Sequence, residues 1–458
     1  MDKTLTENNL HRKYGLFTAI AMVVGIVIGS GVFFKAEKIL LATGGNLTIA
    51  IIAWVIGGLI MVVCAYTFAT MATKYEHVNG IIDYAEAALG SGYGYYVGWF
   101  MTFVYYPAIT SVLAWVSARY LCVLLGFSIT GGECLALSGF FLIATYAVNA
   151  LSPKLAGKFQ VSTTIIKLIP LLLMAVVGLI VGLVNGMTIE NFKTVVNPDV
   201  HQGNALLTAV VATAFAYEGW IVATSINAEL KDAKKNLPRA LVAGTLIVAS
   251  VYILYYIGLT GGISNAEMMQ GGEAGAKLAF SSVFGRIGGT ALFVFVVISC
   301  LGTLNGLMLG CSRGLYSLAA RNEGPRPDIF RQVDPVTNMP TNSAVVGLLM
   351  CGAWLVYFYG ANLTTPWFGP VCFDSSELPI VTLYASYIPI FLMLCKKEKE
   401  LSPFKRFVMP ALAICGCIFM LYAAVVAHGI AVAWYLAVSV VIMLIGVIFR
   451  KGRKTGAK

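Results

Sequence analysis

The fold of this chain is decided near its start, by the stretch Gly25-Ile26-Val27-Ile28-Gly29-Ser30-Gly31-Val32-Phe33-Phe34. It lies inside an apolar segment, residues 15–41, that is long enough to cross a bilayer, since a transmembrane helix needs about 20 apolar residues. Three small residues, Gly29-Ser30-Gly31, sit near its middle, and each glycine weakens a helix by about 1 kcal/mol relative to alanine. In lipid a broken backbone is tolerated only where it is buried in protein or lines a cavity. The break therefore predicts either a ligand site at mid-membrane depth or close helix–helix packing, and this stretch alone does not decide between them.

The composition is that of a membrane protein. The chain has 458 residues, of which 59% are hydrophobic and 11% charged, and its mean hydropathy is +0.82. A soluble protein with so little charge would lack the polar surface to cover itself, so we predict an all-α polytopic membrane protein. No short apolar core with a cleavage site precedes the first span, so no removable signal peptide is expected. The ten cysteines are scattered, without a CxxC or His–Cys cluster, and we expect no metal and no cofactor.

Apolar runs predict twelve membrane spans and no soluble domain. The spans are residues 15–41, 46–73, 90–122, 134–151, 155–185, 204–228, 239–262, 287–320, 342–360, 375–395, 406–427 and 429–449. A polar, glycine-rich loop, residues 264–285, joins spans seven and eight. Its residues 274–284 are expected to form a short surface helix.

Lysine and arginine are unevenly distributed between the loops. With the amino terminus in the cytoplasm, 24 of the 31 fall on the inner side, 6 on the outer side, and Lys167 falls within a span. This bias predicts a multi-pass protein of the cell membrane with both termini in the cytoplasm. It also explains the net charge of +10 by topological anchors and contacts with lipid headgroups, so no nucleic acid partner is expected.

Span six contains a second break, in Phe215-Ala216-Tyr217-Glu218-Gly219-Trp220. A charged group at bilayer depth is costly and normally faces a cavity or a partner, which makes Glu218 a functional candidate. The alternative is a protonated or paired structural carboxyl. Two broken spans that lie five spans apart indicate a five-plus-five inverted repeat with a site at the repeat interface. The first repeat covers about 15–185, the second about 204–395, and two accessory helices lie within 406–449.

Three motifs resemble the L-amino acid transporter family of the amino acid–polyamine–organocation superfamily. They are Gly29-Ser30-Gly31-Val32-Phe33 in span one, Phe215-Ala216-Tyr217-Glu218-Gly219-Trp220 in span six, and Ser312-Arg313 with Arg321-Asn322-Glu323-Gly324 after span eight. The resemblance runs over nearly the whole chain and is greatest to bacterial alanine–serine–cysteine exchangers. It implies a LeuT-like fold, with ten core helices in two inverted repeats plus two more. Animal members bind a heavy chain through an outer-loop cysteine; Cys134 lies near that place in a different setting, so we expect no heavy-chain subunit.

The two breaks together predict a site for a zwitterion. Backbone N–H groups at Ser30 and Gly31 open a half-helix and suit a carboxylate. Carbonyls at the end of the preceding half-helix and in span six suit an ammonium, as the resemblance also implies. The aromatic residues Tyr217, Trp220, Phe103, Tyr105 and Tyr106 are possible walls, although packing is the commoner role. The candidate substrate site comprises Val27, Ile28, Gly29, Ser30, Gly31, Phe215, Ala216, Tyr217, Glu218 and Gly219.

Lys154, at the inner end of span five, is the candidate cation of the site. In sodium-coupled members of this fold a sodium ion sits between spans one, five and eight. The resemblance implies that a span-five lysine takes its place in sodium-independent members, and Ser299 is our candidate for the span-eight hydroxyl. The alternative is an ordinary lysine whose ammonium reaches the cytoplasmic interface.

These features predict sodium-independent exchange of neutral L-amino acids by alternating access, with small ones such as alanine, serine and cysteine as substrates. No cluster of intramembrane acids would hold a cationic side chain, and no arginine near the breaks would hold an acidic one. Proton-coupled uptake through Glu218 or Lys154, and exchange of large neutral amino acids, are the alternatives. A channel would line its pore with polar groups from several helices. An enzyme is not expected either, since the spans carry no nucleophile–base pair.

Overall fold

The structure, a computed structural model, describes residues 15–75, 80–200, 202–222, 224, 230–337, 339–363 and 365–450, and the side chains of these residues except 153, 154, 161, 202 and 273. Within these residues every regular element is a helix. In chain order the helices are α1 (Leu16–Val27), α2 (Gly31–Ala42), α3 (Leu47–Ala72), α4 (Ile81–Leu89), α5 (Ser91–Leu125), α6 (Gly132–Leu151), α7 (Pro153–Leu173, extended by Met174–Gly178 and Leu179–Val184), α8 (Met187–Lys193), α9 (Gln202–Ala216), α10 (Ala233–Leu259), α11 (Asn265–Gly271), α12 (Glu273–Ala319), α13 (Pro327–Phe330), α14 (Thr341–Ala361), α15 (Leu378–Lys397), α16 (Phe404–His428) and α17 (Ile430–Phe449).

The prediction of twelve spans is confirmed in number. Eleven helices within the described ranges are long and apolar enough to cross a membrane, and the bent pair α1–α2 makes a twelfth. The outer faces of these helices carry large apolar side chains, as a protein surrounded by lipid requires. The last helix, α17, is the least enclosed by protein among the described spans, since 17% of its 18-residue apolar stretch is buried.

Span one is broken where the sequence predicted. Helix α1 ends at Val27, helix α2 begins at Gly31, and the two axes are bent by 47°. Ile28 between them is extended, with φ −67° and ψ 107°. Helix α1 packs on α7 and α10, and α2 packs on α9 and α12. The break is thus enclosed by the broken span six and by spans five, seven and eight.

The segment 274–284 is helical as predicted, but it is not a surface helix. It forms the first part of α12, which turns sharply at Gly285, with φ 73°. Ala279 and Phe280 are fully buried, and the Phe280 ring lies 6.5 Å from that of Tyr255 on α10. The short segment has an apolar face that packs on the membrane helices. The polar, glycine-rich sequence around it led us to predict a surface position instead.

Candidate functional site

The first candidate feature is the N-terminus of α2. Ser30 caps it, is fully buried, and makes no side-chain hydrogen bond to the helix. The first backbone N–H groups of a helix have no partner within the helix and carry partial positive charge. Those of Gly31, Val32 and Phe33 can therefore receive an anion. The assignment of Ser30 and Gly31 to a carboxylate stays a prediction.

The second feature is Lys167, a fully buried lysine on α7. Its ammonium donates to the carbonyl oxygens of Gly25, at 2.6 Å, and Ile28, at 2.5 Å. Among the described residues no carboxylate lies within salt-bridge distance of it. The lysine therefore places an amine donor against the carbonyl end of α1, at the last turn of the helix and the break that follows it.

Lys167 contacts the end of span one, which is the place that the sequence analysis expected for a span-five lysine and assigned to Lys154. The side chain of Lys154 lies outside the described residues, so its own assignment stays a prediction. The two lysines are 13 residues apart on α7, or about 20 Å along the helix axis. Ser299, the candidate hydroxyl on α12, is fully buried, and its Oγ has no hydrogen-bond partner among the described residues. The structure therefore offers Lys167 as a further candidate for the cation-like position, without a hydrogen bond to Ser299.

The carbonyls of Val27 and Ile28 are already engaged by protein groups. Tyr252 of α10 donates its hydroxyl to Val27 O at 3.1 Å, and Lys167 donates to Ile28 O. A carbonyl oxygen has two lone pairs and can accept a second donor. Their predicted role toward a substrate ammonium would use that second lone pair.

The two broken spans are in direct contact. A Cβ on Gly31 would collide with the Cα of Ala216 and lie 3.0 Å from the carbonyl oxygen of Phe215. Only glycine lets α2 approach the end of α9 this closely. Gly29 faces the other way, because a Cβ there would meet Thr303 Oγ1 of α12 at 2.6 Å. The predicted pairing of the two breaks at one site thus has a structural basis.

Span six loses its helical path after Ala216, where α9 ends. Gly219 has φ 107°, a conformation that favours glycine, and it lies against span one, since a Cβ there would be 3.2 Å from Ile26 O. Tyr217 donates its hydroxyl to Trp54 O at 2.9 Å and stacks on Tyr252 at 5.4 Å. The Tyr217 side chain is therefore committed to packing between α3 and α10, which is the alternative we gave for the aromatic residues.

Glu218 is buried and paired with a phenol. Its Oε1 accepts a hydrogen bond from Tyr105 OH at 2.5 Å. Tyr105 ends a π-helical turn of α5, Met101–Tyr105, and such turns are frequent at functional sites. The pairing links span three to the break in span six.

A buried ionic cluster lies one turn beyond Gly31 along α2, and the sequence analysis missed it. The fully buried Lys35 donates to Glu377 Oε1 at 2.5 Å and to Ser376 Oγ at 3.0 Å. The other carboxylate oxygen of Glu377 lies 3.0 Å from His428 Nε2 at the end of α16. We call Lys35, Glu377 and His428 the outer latch. They join α2 to the start of α15 and to the end of α16, on the side predicted to face outward.

Charge holds the carboxylates of this region in the ionised form. Burial opposes ionisation of Glu377 and of neighbouring Asp374, but Lys35, His428 and the hydrogen bonds around them together outweigh it and lower the pKa of both side chains. A lowered pKa means that the ion pair is complete above the ordinary carboxyl range, about pH 4, and is lost only as the pH falls below it. The latch carboxylates therefore stay charged at neutral and mildly acidic pH.

Comparison with known proteins gives the family. A model described as amino acid permease matches residues 14–448. The serine/threonine exchanger SteT of Bacillus subtilis (strain 168) is 30% identical over 426 residues, which cover 91% of this chain and 91% of that protein. The human large neutral amino acids transporter small subunit 2 is 29% identical over 339 residues, which cover 71% of this chain and 60% of that protein.

A solved structure gives the fold. The crystal structure of MhsT in complex with L-phenylalanine matches with a TM-score of 0.56 at 15% identity, over 93% of this chain and 98% of that chain. MhsT has the LeuT fold, so the predicted LeuT-like architecture is confirmed. A special similarity to alanine–serine–cysteine exchangers stays a prediction. The chain belongs to the amino acid permease family of the amino acid–polyamine–organocation superfamily, and it is an amino acid transporter with a LeuT-like fold and not an enzyme.

Proposed function

We propose that this protein exchanges small neutral L-amino acids across the cell membrane without sodium. The observation that carries the proposal is the buried Lys167 ammonium on the carbonyls of Gly25 and Ile28. Carbonyl oxygens at the end of a half-helix are the ligands that a bound monovalent cation uses in broken transporter helices. A lysine that donates to them places a tethered amine donor where the ion would otherwise bind. Because a tethered cation cannot dissociate, a sodium gradient would have no ion to move through this position.

The charges around the breaks favour a neutral substrate. The carboxylate of Glu218 accepts from Tyr105, and the ammonium of Lys35 is paired with Glu377. The ammonium of Lys35 is therefore not left to compensate an acidic substrate side chain, whereas Glu218 keeps one oxygen, Oε2, without a hydrogen-bond partner among the described residues. Burying an unpaired charge is costly, so a neutral substrate side chain fits the break best. The substrate carboxylate would bind the N–H groups that open α2, and its ammonium the carbonyls of Phe215 and Ala216.

The proposed small size of the substrate side chain rests on the similarity of this chain to known transporters. The name of SteT states exchange of serine and threonine, and the human relative is named for large neutral amino acids. The identity and coverage are greater for SteT. We therefore propose small substrates such as alanine, serine and cysteine, with large neutral amino acids as the alternative.

The outer latch is the element that we propose keeps the empty transporter from opening to the outside. While Lys35 is paired with Glu377, α2 is joined to the start of α15 on the side predicted to face outward. Opening to the outside requires this buried pair to separate, which is costly unless a ligand favours the open state. A carrier that reorients readily between its outward-facing and inward-facing states only when substrate is bound is an exchanger. Both termini lie in the cytoplasm in this proposal, and no heavy-chain subunit is required.

Proton-coupled uptake is the second candidate, favoured by the buried Glu218–Tyr105 hydrogen bond. Counterflow separates the two functions. Proteoliposomes loaded with unlabelled serine, or left empty, would be given radiolabelled alanine outside, with and without an imposed pH gradient. Exchange predicts that internal serine accelerates uptake whatever the gradient. Uptake into empty vesicles that follows the pH gradient would instead establish proton coupling.

A further inference from the structure

A cavity lies away from the breaks, at the predicted cytoplasmic ends of the helices. Its volume is about 490 Å³, and it lies between the end of α3, the beginning of α10 and the residues that lead into α16. Ala69, Ala243 and Leu246 contribute apolar wall, and Leu246 is 49% exposed on the lipid-facing side of α10. We call this cavity the inner groove.

Two cations stand at the inner groove, Arg239 on α10 and Lys405 at the start of α16. Both side chains are exposed, and among the described residues neither makes a hydrogen bond or an ion pair. The cations beside them are engaged: Arg406 donates to Cys395 O at 2.8 Å, and Lys74 pairs with Glu400 at 2.9 Å. The groove therefore combines two unneutralised positive charges with an apolar wall open to the bilayer.

We infer that the inner groove binds an anionic phospholipid of the cytoplasmic leaflet, with its phosphate on Arg239 and Lys405 and an acyl chain along Ala243 and Leu246. A guanidinium presents paired donors that match phosphate oxygens, and an ammonium adds a point charge. Basic pockets between transmembrane helices on the cytoplasmic side have the chemistry that recognises anionic headgroups. A soluble anion would use the two cations and leave the apolar wall without a role.

The position of the groove connects the lipid to the moving part of the transporter. Gly244 follows Ala243 on α10, and a Cβ on Gly244 would meet Val23 Cγ1 of α1 at 2.6 Å. Helix α10 is thus held between the groove on one face and the first half of broken span one on the other. A lipid that packs into the groove supports α10 against α1, so anionic lipid is expected to alter the exchange rate as well as to bind.

Native mass spectrometry of the full-length protein tests the binding, with phosphatidylglycerol as the probe and phosphatidylcholine as the reference lipid. The double variant Arg239→Gln/Lys405→Gln removes both cations. The matched control Lys158→Gln/Lys396→Gln removes two exposed lysines from the predicted cytoplasmic side, on α7 and α15, outside the groove. We expect the groove variant to bind phosphatidylglycerol about thirtyfold more weakly, since each basic residue near a membrane contributes about fivefold and the variant loses two. The control variant is expected to bind as the wild type does.

A third variant, Ala243→Phe, fills the groove and keeps both charges. It should also weaken phosphatidylglycerol binding, because the acyl chain loses its place. Equal retention of phosphatidylcholine and phosphatidylglycerol by the wild type would overturn the proposal, as would unchanged binding in the Arg239→Gln/Lys405→Gln variant. Displacement of phosphatidylglycerol by millimolar inorganic phosphate, with Ala243→Phe binding normally, would show a free-anion site and not a lipid site. These readouts do not depend on sodium or on the transported amino acid.

Discussion

Replacing Lys167 by methionine is expected to disable substrate binding while leaving the fold intact. Methionine keeps an unbranched side chain of similar length and removes the ammonium. The carbonyls of Gly25 and Ile28 then lose the donor that lies 2.6 and 2.5 Å from them. Each buried polar group left without a partner costs about 1–3 kcal/mol, so the substitution costs about 2–6 kcal/mol at the break.

This free-energy cost destabilises the conformation that binds substrate. Apparent affinity falls in proportion to the population of the competent state. A penalty of about 2 kcal/mol lowers that population and weakens binding about thirtyfold, and the upper end of the range removes measurable binding. The helices around the break remain enclosed by the rest of the bundle, so the protein should still be purified as a folded monomer or oligomer like the wild type.

A scintillation proximity assay with radiolabelled alanine in detergent measures the effect. Lys158→Met is the matched control, since Lys158 lies on the same helix, is exposed and has no ion pair among the described residues. Lys154→Met tests the assignment that the sequence first suggested. If Lys167→Met binds alanine within about threefold of the wild type, a difference of less than 1 kcal/mol, the role given to Lys167 is refuted. Loss of binding in Lys154→Met alone would return the role to that residue.

Three further substitutions test the rest of the site. Gly31→Val should abolish alanine binding, because its side chain would collide with Ala216 and separate the two breaks; wild-type affinity in a thermal-shift titration would contradict this. Glu218→Gln keeps an acceptor for Tyr105, so binding should persist while turnover changes. Complete loss of binding by the folded variant would mean that the carboxylate contacts substrate. Lys35→Met releases the outer latch and should lower the external KM relative to the internal KM in oriented vesicles; unchanged values on both sides would show that the latch does not hold the transporter closed.

The broken spans could be predicted because their signals are local. Glycine at Gly29 and Gly31, and Glu218 beside Gly219, are anomalous within apolar runs whatever the rest of the chain does. The number of spans follows from the length of the apolar runs for the same reason. Both predictions depend on bilayer thickness and backbone hydrogen bonding, which do not require knowledge of the neighbours of each helix.

The partners of these residues could not be predicted, because they depend on how the helices pack. Lys154 and Lys167 lie on one helix, and only the packing of that helix on α1 brings Lys167 to the break. Lys35 and Glu377 are separated by 342 positions, so their pairing leaves no local signal. Lys167 did carry one clue, since it was the one basic residue that the charge count assigned to neither side of the membrane, and an intramembrane charge is itself a functional indication.

Sodium replacement in proteoliposomes is the most direct test of the proposed function. Uptake of radiolabelled alanine into vesicles loaded with unlabelled alanine would be measured in sodium chloride and in choline chloride, at equal ionic strength and pH. A transporter whose cation position is filled by Lys167 should show the same initial rate in both salts, and the rate should drop in both when the internal alanine is omitted. Uptake that disappears in choline would contradict the sodium-independent mechanism.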